Sequence, residues 1–385
     1  MFSSEIEENM YIWQRRNWPD FTWNDSALIA PLASARLAQG ELLGLMRTLG
    51  FELRREAQLH SLTEEVVKTS EIEGETLDHA SVRSSLARRL GIRMAGAKRI
   101  DRRAEGVVEM ALDATRDFDR PLTPDRLFAW HRALLGGEAD GRRIAIGCWR
   151  DDAAGPMQVI SGAVGRERVH FEAPPAARLD TEMRVFLAWF AAAPRQDGRI
   201  DGLLRAGLAH LWFVTIHPFD DGNGRIARAI AEMALAQSEN SPQRFYSMSA
   251  QIRRERADYY RVLERTQRGG LDVTDWLAWF LGCFTRAVQD AQGGSSLVLR
   301  KAAFWRRHEG TPLNERQRAI LNRCLDGFQG NITAKKWATL GKVSLATAQR
   351  DILDLVGKTM LAQNPGGSKN TSYSLRLDDR ASKGG

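Results

Sequence analysis

A stretch of twelve residues, 217–228, carries side chains whose chemical types suit reactions of phosphate groups. His217 has the only side chain there with an ordinary pKa near neutrality, which makes it the natural general base for an attacking hydroxyl. Asp221 offers the hard carboxylate oxygens that Mg²⁺ takes beside phosphate oxygens. Arg225 and Arg228 are three residues apart, so a helix would place them on one face to clamp phosphates. The stretch therefore predicts a phosphoryl-type transfer site for a triphosphate with Mg²⁺.

Two predicted helices must position these groups. Apolar residues recur with helical spacing over residues 201–216, and a proline ends that pattern, so His217 falls at a helix end. Two glycines then flank an asparagine in a turn that tolerates positive φ, and a second helical pattern follows. Unpaired backbone N–H groups at a helix N-terminus attract anions. The turn predicted to cradle phosphates consists of Gly222, Asn223 and Gly224.

The same twelve residues match every specified position of the Fic family signature, His-Pro-Phe-x-(Asp/Glu)-Gly-Asn-Gly-Arg-x-x-Arg. Any one of them alone would be interpreted as part of a surface loop, but the full string resembles that family. The resemblance implies a protein adenylyltransferase, which moves AMP from ATP to a Ser, Thr or Tyr hydroxyl of a target protein. In that reaction His217 is the base, Asp221 holds Mg²⁺, and Arg225 and Arg228 bind the phosphates together with the glycine turn.

The resemblance also implies a fold and leaves rival functions open. We expect a mainly α protein, with a helical Fic-domain bundle and a small β-hairpin flap. Phosphate transfer or the use of another nucleotide would retain a similar phosphate site. The rival from a different class is a DNA-binding transcriptional regulator whose Fic domain acts as a nucleotide-responsive switch.

A second informative stretch lies upstream, where a helical pattern is stopped by Gly74. Thr69 and Glu73 are four residues apart, so they share one helix face. In Fic proteins the pattern (Ser/Thr)-x-x-x-Glu-(Gly/Asn) marks an inhibitory helix, and Thr69, Glu73 and Gly74 fill it. The resemblance implies that Glu73 pairs with Arg228 where the γ-phosphate would lie, so that ATP binds unproductively. The same glutamate could orient water for removal of AMP, or be an ordinary residue before a helix-ending glycine.

Residues 157–162 and 168–171 are typical of two short strands joined by a glycine-containing turn. They resemble the Fic flap, a hairpin beside the active site, where an edge strand can hold the backbone of a target by strand addition. An ordinary surface hairpin is the alternative. The target-docking residues that the resemblance implies are Gln158, Val159, Ile160 and Ser161.

Three further residues have both a functional and a structural interpretation. In similar Fic proteins, residues at the place of Tyr259 and Tyr260 approach the nucleotide base, which implies nucleotide contact for one of this pair. Aromatic pairs on helices are more often part of a core, and that alternative stays open. His131 lies among apolar residues on a predicted helix over residues 124–135, and we interpret it as structural.

Length and composition restrict the class of protein. The 385 residues are 43% hydrophobic and 27% charged, as in soluble globular proteins of two or three domains. No run approaches the roughly 18 apolar residues of a membrane span. The N-terminus is acidic without the apolar core of a signal peptide, and the three cysteines are widely spaced, as in a reducing compartment. We therefore expect a cytoplasmic protein without membrane contact.

The positive charge is concentrated near the C-terminus. Residues 295–385 contain 16 Lys and Arg against 7 Asp and Glu, whereas the whole chain carries a net charge of +7. Short helical patterns over residues 314–325, 333–340 and 344–356 and a hairpin pattern over residues 360–375 resemble a winged helix, an α+β module. Such a module contacts DNA by phosphate neutralisation and groove insertion, or binds protein instead.

These patterns together predict three parts and a short linker at residues 292–296. Homodimerisation is plausible for the Fic family. The parts are a helical extension with the inhibitory motif over residues 1–100, a Fic catalytic domain over residues 101–292 and a winged-helix-like domain over residues 297–385.

Overall fold

The structure is a computed structural model of the chain. It describes residues 10–92, 101–136, 144–162, 165–192, 200–325, 331–365 and 371–376. The chain divides into two compact units, one of Met1–Thr48 with Arg54–Ala291 and one of Leu49–Leu53 with Gln292–Gly385. Within the described ranges, no helix is both long and apolar enough to cross a bilayer.

The first unit is mainly helical, as the sequence predicts. Two short 3-10 helices, Ile12–Gln14 and Ala176–Arg178, accompany an antiparallel hairpin of β1 (Gln158–Ser161) and β2 (Arg168–Glu172). The helices are α1 (Asp25–Thr48), α2 (Phe51–Ile72, in this unit from Arg54), α3 (His79–Arg89), α4 (Arg102–Arg116), α5 (Pro124–Leu135), α6 (Leu179–Ala191), α7 (Gly202–Ile216), α8 (Asn223–Glu239), α9 (Met248–Arg254), α10 (Arg256–Gln267) and the first part of α11 (Thr274–Arg307).

Helix α7 lies at the centre of the first unit. Every residue from Leu203 to Ile216 is buried, as expected of a helix that is apolar on all sides. Helix α8 packs along it, and small buried residues such as Ala227 and Ala234 keep the α8 backbone close to its neighbours. Because α7 ends and α8 begins at the two ends of one short loop, their packing fixes the loop that carries the predicted site.

The segment predicted to be inhibitory is held at the end of α2. The helix ends at Ile72, and Gly74 adopts φ 87, the left-handed conformation that favours glycine after a helix. Two turns earlier on α2, the buried carboxylate of Glu65 accepts hydrogen bonds from Ser247 Oγ at 2.6 Å and from the N–H of Ser249 at 2.9 Å. These bonds tie α2 to the start of α9, so the end of α2 has a fixed position.

The second unit has its own apolar core around Trp337, Ile352 and Leu355. The predicted three helices and hairpin are present, and a bridge pairs Ile332 with Tyr373. The assignment of this arrangement as a winged helix stays a prediction. Its elements after α11 are α12 (Glu315–Leu325), α13 (Ala334–Gly341), α14 (Leu345–Gly357), β3 (Leu361–Gln363) and β4 (Tyr373–Leu375).

The boundary between the two units falls between Ala291 and Gln292, at the start of the predicted linker, but residues 292–296 are helical, because α11 runs through them as one helix from Thr274 to Arg307. Glycine in a helix costs only about 1 kcal/mol relative to alanine. A long helix whose nucleus has already formed gains a hydrogen bond with each added residue. Two adjacent glycines are therefore insufficient to end it.

Candidate active site

His217 lies directly after the last residue of α7. Its backbone is left-handed, with φ 52, and its N–H donates to the carbonyl of Phe213 at 3.0 Å. The ring Nδ1 is 3.1 Å from the carbonyl oxygen of Val214, which can only accept. Nδ1 therefore carries the proton in the neutral ring, and the lone pair is on Nε2, the form that a general base requires.

The surroundings of His217 keep its ring neutral. The pKa of His217 is lowered to about 4, chiefly by burial and also by the nearby charge of Arg150, although the bond to Val214 and the carboxylates of Glu73 and Asp221 act in the opposite direction. At neutral pH the ring is therefore unprotonated. The structure places a ready proton acceptor at this position.

Two side chains hold the loop between α7 and α8. The amide of Asn223 accepts from the N–H of Phe219 at 3.0 Å and donates to the carbonyl of the same residue at 2.7 Å. His131 stacks on the Phe219 ring with centroids 4.2 Å apart, and its Nε2 lies 3.2 Å from the carbonyl oxygen of Asp221. Its Nδ1 accepts from the N–H of Gly147 at 3.0 Å, so His131 is fully engaged in structural bonds.

The loop leads into the N-terminus of α8, where Gly222 precedes the first helical residue with φ 81. The backbone N–H groups of the first turn lack helical acceptors, and the positive end of the helix dipole lies there. The side chain of Asn223 is bound within the loop, so only its backbone is available to an anion. Arg225 and Arg228 follow on α8, and both are buried.

Arg228 is held by the predicted inhibitory residues. Its Nε donates to Thr69 Oγ1 at 2.7 Å, and its Nη2 donates to the Thr69 carbonyl at 2.9 Å and to Glu73 Oε1 at 2.7 Å. Burial alone would raise the pKa of Glu73, but the charge and hydrogen bond of Arg228 outweigh it and lower that pKa. Glu73 is therefore ionised and bound to a buried cation.

Arg225 has a carboxylate partner that the sequence did not predict. Its Nη1 lies 2.7 Å from both Oε1 and Oε2 of Glu75. Glu75 lies outside the six-residue inhibitory pattern, and no periodicity singles it out. Residues 69–75, called the inhibitory segment from here on, thus engage both arginines of α8.

Asp221 lies at the open side of the loop, and its side chain is 44% exposed. Its Oδ1 accepts from the N–H of Gly222 at 2.5 Å and is 3.6 Å from Arg225 Nη2. In the described part of the chain, no group of three or more His, Cys, Asp or Glu side chains is arranged to hold a metal ion. A single exposed carboxylate fits Mg²⁺ that takes its other ligands from phosphates and water.

The predicted flap strands are present, with Gln158 paired to Glu172, Ser161 paired to Arg168 and a bulge after Val159. The outer edge of β2 is covered, because Arg268 donates to the carbonyls of Val169 and His170 at 2.6 and 2.9 Å. The β1 strand is largely exposed. Its exposed side chains are Gln158, Ile160 and Ser161, while Val159 is half-buried.

The two tyrosines of α10 have different surroundings. Tyr259 is buried, its hydroxyl is 2.9 Å from His210 Nε2, and its ring packs beside Trp276. Tyr260 is 36% exposed, with the guanidinium of Arg256 over its ring at 5.2 Å. Of the pair, Tyr260 has the ring surface that a nucleotide base could reach, and Tyr259 is part of the core.

Parts of the chain resemble known proteins. Residues 121–235 match the family model described as Fic/DOC family, and residues 11–92 match a domain of unknown function, DUF4172. A segment of 120 residues is 32% identical to a uridine 5'-monophosphate transferase of Xanthomonas campestris pv. campestris, covering 30% of this chain and 21% of that protein. A segment of 128 residues is 30% identical to protein adenylyltransferase Fic of Nematostella vectensis, covering 32% of this chain and 27% of that protein.

The chain thus spans only between a fifth and a third of the length of these relatives. A crystal structure of a Fic family protein from Desulfovibrio desulfuricans G20 matches 94% of this chain and 99% of its own chain, with a TM-score of 0.54 and 22% identity. At this identity the likeness concerns the fold alone. The family model thus identifies a Fic/DOC family domain over residues 121–235 of this chain, and the structural likeness agrees with it in fold.

Proposed function

We propose that this protein is a nucleotidyltransferase that moves AMP from ATP to a Ser, Thr or Tyr hydroxyl of a target protein. The carrying observation is the carboxylate of Glu73, which lies against Gly224 at the N-terminus of α8 and on Arg228. A carboxylate bound there indicates an anion site where nucleotide phosphates would fit. The neutral His217 lies at the start of the same loop, directly after α7, with its Nε2 lone pair available.

The reaction uses the chain's own groups as follows. His217 Nε2 takes the proton of the target hydroxyl, and the oxygen forms a bond to the α-phosphorus of ATP. The bond from that phosphorus to the bridging oxygen breaks, and pyrophosphate leaves with the electron pair. The N–H groups of Gly222, Asn223 and Gly224, with Arg225 and Arg228, hold the phosphates and stabilise the developing charge. Mg²⁺ on Asp221 would supply further charge neutralisation.

Two docking roles are part of the proposal. Tyr260 provides a ring for the adenine base, whereas the buried Tyr259 supports it from the core. The exposed strand β1 takes the backbone of the target as an added strand, through Gln158, Val159, Ile160 and Ser161. Strand addition reads little side-chain sequence, so the target would be selected mainly by its accessible extended segment.

The contacts of Glu73 support autoinhibition as part of the proposal. An ion pair with Arg228 and a position over Gly224 exclude a phosphate oxygen from the same volume, so nucleotide and inhibitory segment compete. Glu73 held near a bound nucleotide could instead orient water for removal of AMP from a modified protein. The named relative that transfers uridine monophosphate also makes UTP a nucleotide to test.

Intact-mass spectrometry after incubation with Mg²⁺ and ATP or UTP tests this function, because self-modification needs no known target. The proteins compared are wild type, Glu73→Gly and the double variant Glu73→Gly with His217→Ala. We expect an AMP adduct on Glu73→Gly, little on wild type and none on the double variant. An adduct that persists in the double variant would contradict the role of His217. A UMP adduct in place of an AMP adduct would show that the nucleotide substrate is UTP and not ATP.

The second candidate is a DNA-binding regulator, favoured by the basic charge of residues 295–385. In α14, Gln349 and Arg350 are exposed, as groove contacts would require. Retardation of a duplex by the full chain, weakened by Arg350→Ala, would support DNA as a partner. A chain that retards no duplex at low salt would remove this candidate.

We also propose that the protein acts in the cytoplasm and forms a homodimer.

A further inference from the structure

Arg150 lies outside the Fic signature, yet it is bound to the two residues that open it. Its backbone N–H donates to the carbonyl of Pro218 at 2.9 Å. Its side chain is 0% exposed, and Nε donates to the carbonyl of His217 at 2.8 Å. Arg150 therefore fixes both peptide carbonyls around the left-handed turn that sets the direction of the His217 ring.

The other side of the same guanidinium holds the base of the flap. Nη2 donates to the carbonyl of Pro174 at 2.5 Å, shortly after the end of β2. Nη1 donates to Asp152 Oδ1 at 2.8 Å, in the segment that leads to β1. Asp152 Oδ2 in turn accepts from the N–H of Ala176 at 2.6 Å. Both ends of the flap are thus bound, directly or through Asp152, to the group that binds His217.

The planar fork of arginine suits this arrangement. Nε, Nη1 and Nη2 each have their own acceptor in a different segment, which a lysine ammonium could not reproduce with the same geometry. Burial lowers the pKa of Arg150, and Asp152 is the carboxylate that compensates its charge directly. Arg205 is the contrast: it too is buried and donates to carbonyls, those of Phe190 and Ala192, but it only closes the end of α6.

We infer that Arg150 is a positioning residue for the proposed transfer, which sets the His217 base in register with a target hydroxyl carried on β1. The inference rests on the proposed function. It differs from a packing role because one rigid group binds both the His217 turn and the segments that flank the flap. Misplacement of either by about 1 Å would slow the transfer by about 10²-fold.

The charge of Arg150 gives the inference a second readout. Burial has the largest effect on the pKa of His217 and lowers it, and the charge of Arg150 lowers it as well. The Val214 carbonyl and the carboxylates of Glu73 and Asp221 raise it. Loss of the guanidinium removes a positive charge beside the ring, so protonation of His217 becomes easier and its pKa rises. A lysine at this position keeps the charge but loses the fork.

The test compares Arg150→Gln and Arg150→Lys with the control Arg205→Gln. The titration midpoint of His217 is followed by NMR in proteins that retain Glu73, with the signal assigned by its loss in His217→Ala. The kcat and the nucleotide KM of transfer are measured in the Glu73→Gly background. We expect a raised midpoint in Arg150→Gln only, and a kcat about 10²-fold lower in both Arg150 variants with little change in KM.

Two results overturn the inference. One is a midpoint in Arg150→Gln equal to that of the control, and the other is a kcat of the Arg150 variants no lower than that of Arg205→Gln. If Arg150→Gln does not fold, the kcat of Arg150→Lys alone tests the inference, and a kcat no lower than that of Arg205→Gln overturns it. Absence of transfer by Glu73→Gly on every nucleotide would instead contradict the proposed function, and the titration would still report whether Arg150 sets the state of His217.

Discussion

The carboxylate of Glu73 occupies the space into which a side chain on Gly224 would project. A Cβ at Gly224 would overlap Glu73 Oε1, and the same oxygen accepts from Arg228 Nη2 at 2.7 Å. The carboxylate therefore lies between the positive end of a helix dipole and a buried guanidinium. It is an anion supplied by the chain itself at the place where we propose that phosphates bind.

Gly224→Ala should weaken nucleotide binding even when the inhibitory carboxylate is absent. The added methyl takes the volume that either Glu73 or a phosphate oxygen needs, so removal of Glu73 does not restore it. In the Glu73→Gly background we expect the nucleotide Kd to rise about tenfold or more, which corresponds to about 1.4 kcal/mol. Isothermal titration calorimetry measures this directly. Gly270→Ala is the matched control, because a Cβ there meets nothing within 4 Å; equal Kd values for the two variants would disprove the role of Gly224.

Glu75→Gln should strengthen nucleotide binding further in the Glu73→Gly background. Arg225 is held by both oxygens of Glu75, and neutralising that carboxylate frees the guanidinium for phosphates. We expect the Kd to fall by about fivefold, the lower end of typical coupling energies. Glu71→Gln is the control, since Glu71 lies in the same segment but pairs with Lys68 and Arg253 and not with Arg225. A Kd that stays equal or rises would show that Glu75 does not compete with nucleotide.

Asn223→Ala should loosen the loop that carries the site. The amide makes two buried hydrogen bonds to the backbone of Phe219, each worth about 1 kcal/mol. We expect thermal unfolding at a temperature a few degrees lower and a loss of transfer activity in the Glu73→Gly background. Asn322→Ala is a comparison for a partly buried amide in the second unit, where it accepts from Trp305. Activity that survives in the Asn223 variant would mean that the loop keeps its shape without the amide.

Two buried histidines should make the stability of the fold depend on pH. Burial lowers the pKa of His131 to about 4, and burial with the charge of Arg228 lowers that of His210 to about 3. The unfolded chain, with histidine pKa values of about 6.5, therefore binds protons first as the pH falls. Their stabilising contribution is complete above that value and is lost as the pH falls towards the folded pKa values.

Urea unfolding at about pH 7 and about pH 5 measures this effect. We expect the free energy of unfolding to fall by about 1–2 kcal/mol for each histidine over that interval. In His210→Gln no titratable group replaces the imidazole. The free energy of unfolding should therefore fall less than in wild type, by the contribution of one histidine. An identical pH dependence in wild type and His210→Gln would contradict the lowered pKa of His210.

The local parts of the site follow from the sequence because they depend on neighbours in the chain. Apolar periodicity and a proline place His217 at a helix end, and paired glycines place the N-terminus of α8 directly after the loop. Gly74 after α2 adopts the left-handed conformation expected of it. The pairing of Glu73 with Arg228 came from a family pattern, and the same contact is present in the structure.

The long-range contacts were decided only by the tertiary structure. Periodicity indicates which face of a helix a residue occupies, but not which distant group it meets. Glu75 binds Arg225 from 150 positions away, and Arg150 reaches His217 from 67 positions away. Packing likewise buries Tyr259 against Trp276 and leaves Tyr260 at the surface, although the two are adjacent in the chain. The sequence alone determined the chemistry available in residues 217–228, and the packing of α2, α8 and the flap determined which groups hold it in place.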